Sequence, residues 1–115
     1  LYGHDAGDDV LVLMGQVLRA SALPGTMAAR WGGEEFCVIT ECATRAQALA
    51  IAEAIRVRFQ TAAMNLSRLP QGATVSIGVA LLDPVERRPL AAMIAAADVA
   101  LYRAKSSGRN CVAID

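Results

Sequence analysis

Ala29-Arg30-Trp31-Gly32-Gly33-Glu34-Glu35-Phe36-Cys37-Val38-Ile39 sets two glycines and two acids between short apolar runs. Gly32-Gly33 is a turn signal, the run from Thr26 to Trp31 reads as a strand, and Phe36 to Thr40 reads as its return. The pattern predicts a β-hairpin with Glu34 and Glu35 at its tip. Adjacent carboxylates repel each other, and a divalent cation between them relieves the repulsion. Magnesium is commonly held by one or two carboxylates together with substrate phosphates. The glycines allow a ligand to approach the backbone closely. On local spacing alone, a solvated acidic tip that binds nothing accounts for the same residues.

Outward from the hairpin, the apolar residues change period. Val10, Leu11, Met14, Val17 and Leu18 follow a helical stripe that begins near Gly7-Asp8, with Asp8 as its cap. Ala48, Ile51, Ala52, Ile55 and Phe59 mark a second helix from Thr44 to about Ala63, with Arg45, Glu53, Arg56 and Gln60 off the stripe. Residues 65–72 read as a loop. From Thr74 to Leu82 the chain alternates, Val75, Ile77, Val79 and Leu81 on one side and Thr74, Ser76, Gly78 and Ala80 on the other. The large side seals a core, and the small side admits a helix or a ligand. Leu90, Met93, Ile94, Ala97 and Leu101 mark a third helix that stops at Ser106-Ser107-Gly108, and Cys111 to Ile114 reads as a last strand. The order predicts an α/β (α+β) sandwich, a mixed or antiparallel central sheet with helices on its faces.

At 115 residues and 55% hydrophobic, the chain reads as one domain over residues 1–115. No apolar run reaches the roughly 18 residues of a spanning helix, and the N-terminus has no signal-peptide pattern. Eleven basic residues balance eleven acidic ones, which disfavours a nucleic-acid polymer as partner and leaves room for a small anion held by local cations. Three cysteines, Cys37, Cys42 and Cys111, without C-x-x-C spacing argue against disulfides and zinc and for a reducing, cytoplasmic setting.

Lys105 and Arg109 flank the stop of the third helix. They either neutralise a polyphosphate or simply complement the helix dipole. Asp8 reads as a cap, although an aspartate also accepts two hydrogen bonds from a guanine edge. His4, the single histidine, reads as a turn residue. No P-loop pattern is present, and Ser76 lies inside a strand with no histidine to serve it, which sets aside both a P-loop nucleotide site and serine catalysis.

Four separated segments together resemble the GGDEF family of diguanylate cyclases: Tyr2-Gly3-His4-Asp5-Ala6-Gly7-Asp8, Arg30 to Phe36, Thr74 to Ala80, and Ala97 to Lys105 with Gly108-Arg109-Asn110. The resemblance implies a fold like nucleotide-cyclase and polymerase palm domains. It implies that two GTP molecules condense to cyclic di-GMP and two pyrophosphates across a homodimer, with magnesium or manganese as cofactor. By position, Glu34 is the catalytic acid and a metal ligand, Glu35 a second metal ligand, and Asp8 the reader of guanine. Gly32 and Gly33 make room for the nucleotide, and Lys105 and Arg109 hold the terminal phosphates.

Two departures from the family pattern carry expectations. The family's first strand and its F-K-x-x-N-D segment, with a further metal-binding aspartate and a guanine-reading asparagine, are not in these residues; the chain is expected to be part of a longer protein and inactive alone. Leu23 and Thr26 stand where an R-x-x-D motif would form the family's inhibitory product site, so no such site is expected. The resemblance also implies an upstream sensor domain in a cytoplasmic or membrane-anchored parent, with no membrane contact by this segment. The alternative is a degenerate domain that binds GTP or a protein partner without turnover; a purely structural module would bind no nucleotide.

Overall fold

The computed structural model describes residues 3–21, 26–32, 35–40, 44–82, 85 and 87–115. They form α1 (Gly3–Ser21), β1 (Met27–Gly32), β2 (Glu35–Ile39), α2 (Arg45–Ala63), β3 (Ile77–Val79), α3 (Leu90–Ser106) and β4 (Val112–Ile114).

Helix α1 starts a full turn earlier than the sequence predicts. Its buried stripe of Met14, Val17 and Leu18 extends back to Ala6, which is only 2% exposed, and a small side chain flanked by Gly3 and Gly7 gives little periodic signal. Asp8 therefore lies inside the helix and cannot cap it, and the backbone of His4 is helical rather than in a turn. At the other end, Arg58 of α2 donates to the carbonyl oxygen of Ala20 at 2.9 Å and to Ser21 Oγ at 3.2 Å. A cation on those last carbonyls is where the helix dipole favours one.

Helix α2 begins where the pattern places it. Thr44 is extended (φ −140°, ψ 158°) and its hydroxyl accepts from the amide of Gln47, 3.1 Å away, the geometry of an N-cap. Ala48, Ala52, Ile55, Phe59 and Ala63 are buried along one face. Ile55, Phe59 and Ala63 join Met14, Val17 and Leu18 in the main core. Phe36 and Val38 from β2 and Val75 and Ile77 from around β3 pack against it, so both strand pairs lie over the α1–α2 layer.

Strands β1 and β2 form an antiparallel hairpin, and β3 and β4 pair in parallel, Ile77 with Val112 through Val79 with Ile114. The arrangement is a mixed α+β fold, as expected. Among the described residues the two ladders share no hydrogen bonds, so the sheet is in two halves. Strand β3 is shorter than its alternation suggests, because alternation records which side chains face the core whereas a ladder needs a partner. The small side of β3 meets a helix rather than a ligand. A Cβ on Gly78 would lie 2.1 Å from the carbonyl oxygen of Ala97 and 2.3 Å from the amide nitrogen of Leu101. Ala100 and Ala104 are fully buried. Leu90, counted in the predicted stripe, is instead exposed.

Candidate active site

Register shapes the hairpin's tip. Arg30 pairs with Phe36, but the next pair is Gly32 with Glu35, so β1 carries one extra residue there. Such a bulge bends the strand and re-aims the side chains beyond it. Phe36 packs against the core while Glu35, its neighbour, is exposed. Strand β2 thus starts at Glu35, one residue before the predicted boundary. Residues 33 and 34 connect the strands; Gly33 and Glu34 lie outside the described residues. At the open end of the hairpin the hydroxyls of Thr26 and Thr40 are 2.7 Å apart. Leu23, the other position of the absent product-site motif, lies outside the described residues, as does Cys42.

The basic end is built on α3. Lys105 is in its last turn and exposed. Gly108 (φ 113°), Arg109 (φ 64°) and Asn110 (φ 46°) then run consecutively through the left-handed region. Glycine adopts that conformation freely and asparagine tolerates it, but arginine does so at a cost. The amide of Arg109 donates to the carbonyl oxygen of Ala104 at 3.1 Å, folding the segment back so that Arg109 follows Lys105 around the helix end.

Asp8 is exposed on α1, between Asp5 and Asp9, whose carboxylates lie 3.9 and 3.6 Å from Arg68. The structure thus pairs Gly32 with Glu35 across the hairpin and places Lys105 in the last turn of α3, with Arg109 in the segment that follows it. Asp8 stands on a third element and pairs with none of them among the described residues.

Sequence reasoning overlooks a polar cluster behind the basic end. Arg56, placed off the apolar stripe, has a side chain only 16% exposed. It donates to both oxygens of Glu53, to Gln60 Oε1 at 3.3 Å and to Asn110 Oδ1 at 2.8 Å. Hydrogen bonding to Arg56 holds the Glu53 carboxyl below its ordinary range, and Glu53 in turn raises Arg56. The E-x-x-R spacing on α2 signals the Glu53–Arg56 pair; nothing local signals Asn110.

The donor chemistry at the tip suits a hard cation. Glu35 offers an exposed carboxylate, and no three acidic, histidine or cysteine side chains cluster among the described residues. A single carboxylate would leave most of a cation's oxygen positions to other groups, as in sites where magnesium is also held by phosphates. A cleft of about 280 Å³ lies between α1 and the hairpin, lined by Leu18, Arg19, Thr26, Ala28, Arg30 and Phe36 among others; of the described candidates, Asp8, Gly32, Glu35, Lys105 and Arg109 do not line it. Among the described residues no helix is long and apolar enough to cross a membrane.

The described residues form a mixed α+β domain with an antiparallel hairpin and a parallel β3–β4 pair. The chain belongs to the GGDEF family: the family model "Diguanylate cyclase, GGDEF domain" matches residues 1–111. It is 43% identical over 112 residues to diguanylate cyclase DgcM of Escherichia coli K12, covering 97% of this chain and 26% of that protein. It is 37% identical over 113 residues to the response regulator PleD of Caulobacter vibrioides, covering 96% and 25%. The chain therefore spans about a quarter of the length of these curated relatives. Among solved structures, the coiled coil and GGDEF domain of DgcB from Caulobacter crescentus, in complex with c-di-GMP, superposes with a TM-score of 0.84 at 30% identity, over 98% of this chain and 60% of that one. The active GGEEF domain of a Vibrio cholerae diguanylate cyclase gives 0.80 at 32%, over 97% and 70%. Synthesis of cyclic di-GMP is the general reaction of the family.

Proposed function

We propose that this domain is the nucleotidyltransferase module of a diguanylate cyclase, holding one GTP and working face to face with a second copy in a homodimer. The observation that most supports this is the hairpin's tip, where a register shift sets Gly32 opposite an exposed Glu35 while half-buried Phe36 packs against the core. Glu34 and Glu35 hold Mg2+ or Mn2+, which when bound offsets charge on the phosphates and carboxylates. Glu34 accepts the proton from the 3′-hydroxyl, whose oxygen bonds to the α-phosphorus of the partner's GTP as pyrophosphate leaves. Gly32 and Gly33 leave space for the triphosphate, and Lys105 and Arg109 hold its terminal phosphates. Asp8 accepts hydrogen bonds from the guanine edge, and the electrostatic stabilisation is preorganised at both ends.

We further propose that residues 1–115 are inactive alone. The two unjoined ladders support this reading. Magnesium and GTP incubated with the chain, and with the chain extended by its native N-terminal flank, should yield cyclic di-GMP only in the second case. In the extended form Glu34→Gln should lower turnover by about 10²–10⁴-fold; undiminished turnover would show that Glu34 is not the catalytic acid. The receptor reading, GTP binding without turnover, predicts binding and no product in both forms. With Leu23 and Thr26 in place of arginine and aspartate, calorimetric titration of cyclic di-GMP should find no tight product site dependent on residues 23–26.

A further inference from the structure

We infer that Arg56 is a positioning residue for Arg109, acting through Asn110; the inference rests on the proposed phosphate-binding role of Arg109. Two consecutive non-glycine residues in the left-handed region persist only where their surroundings over-determine them, and here three elements do so. The amide of Arg109 is tied to Ala104 on α3. The amide of Asn110 donates to Ser76 Oγ at 3.2 Å, just ahead of β3. The side-chain oxygen of Asn110 accepts from the Arg56 guanidinium on α2 at 2.8 Å. Beyond Asn110, Ile77 N donates to the carbonyl oxygen of Cys111 at 3.0 Å, which locks the segment into the β3–β4 pairing.

Of these supports Arg56 is the one that carries charge, and its fork is held in orientation by both oxygens of Glu53. A planar guanidinium fixed on one side by a carboxylate presents its remaining donors in a set direction. That direction is toward Asn110, whose backbone carries Arg109 into solvent. Glu53 also balances the charge of Arg56, so the cluster orients the phosphate-binding end without adding net charge to it. Arg56 does not itself need to touch nucleotide.

The test is a double-mutant cycle in the full-length protein, titrating magnesium with 3′-deoxy-GTP, which cannot form the phosphodiester, by calorimetry. Arg109→Ala should weaken affinity by about tenfold, as loss of a charge-assisted contact does. Arg56→Gln should weaken it by about fivefold in the native background and not further in the Arg109→Ala background, because the removed group acts only through Arg109. Asn110→Gly keeps the backbone's freedom to be left-handed while deleting the link, and should reproduce Arg56→Gln; it serves if Arg56→Gln fails to fold. Equal, additive losses in both backgrounds would mean a general structural role and overturn the inference. An unchanged affinity in Arg56→Gln with a weakened one in Arg109→Ala overturns it alone. An unchanged affinity in Arg109→Ala overturns the phosphate reading itself.

Discussion

The acidic and basic ends of the site are supported very differently. The hairpin is a single ladder with one face on the core: Phe36 and Val38 pack inward, whereas Met27 is 69% exposed and pairs with an exposed Ile39. The α3–β3–β4 unit is pressed together, with Ala104 at 0% exposure and no room at Gly78 for even a methyl group. In the proposed cyclase, Glu35 would meet the metal from a hairpin packed on one face only, and Lys105 and Arg109 would meet the phosphates from the close-packed α3–β3–β4 unit. A site that must accept a nucleotide and then meet a second copy of itself can use one compliant side and one fixed side.

That contrast can be broken most strongly at Gly78. Gly78→Val puts atoms where α3 backbone already is, and because backbone cannot rotate aside as a side chain can, it should cost about 3 kcal/mol or more in urea unfolding. Phe36→Ala removes the hairpin's own anchor, which is half-buried, and should cost about 2 kcal/mol. Loss of the Thr26–Thr40 clasp in Thr26→Val should cost less than about 1 kcal/mol. Should Phe36→Ala prove the more damaging, the ranking of the two ends would be reversed. Amide hydrogen exchange sharpens the same comparison without mutation: the amides of β1 and β2 should exchange before those of Ile77, Gly78 and residues 100–104. The smallest effect concerns pH. The Glu53 carboxyl is held below its ordinary value of 4.5 by Arg56, so its contribution is present above that value and is lost as pH falls through the lower, folded value. Glu53→Gln should flatten stability against acid pH in that window, with only a small loss near neutrality because the carboxylate is exposed.

Much of the fold was legible because the signals were strong and local. A double glycine between β-forming residues announced the hairpin, and Thr44 with its run of apolar residues announced α2. The start of α1 was hidden because Ala6, the residue that buries its first turn, is small and sits between glycines that read as turn formers. The length of β3 was overread because side-chain alternation continues past the point where a hydrogen-bonding neighbour exists. Of the candidate site, Asp8, Gly32, Gly33, Glu34, Glu35, Lys105 and Arg109 come together as a proposed set only through family resemblance, since each residue alone has an ordinary structural explanation. The Arg56–Asn110 link was invisible for a different reason: it joins residues 54 positions apart, and it exists only because three left-handed residues turn the chain back across α2.

The parallel pairing of β3 with β4 also sets an order in time. Parallel strands cannot close through a tight turn, and here residues 80–111, with all of α3, separate the two. On a ribosome that delivers the chain from its N-terminal side, α1, the hairpin and α2 emerge first, and Val75 and Ile77 follow to complete the packing of their mutual core. The left-handed segment and β4 are made after all of these, and the ladder that holds them forms only once α3 has docked. The acidic end of the domain is therefore synthesised before the basic end, and a nascent chain lacks the ladder behind its cationic side until β4 has been delivered.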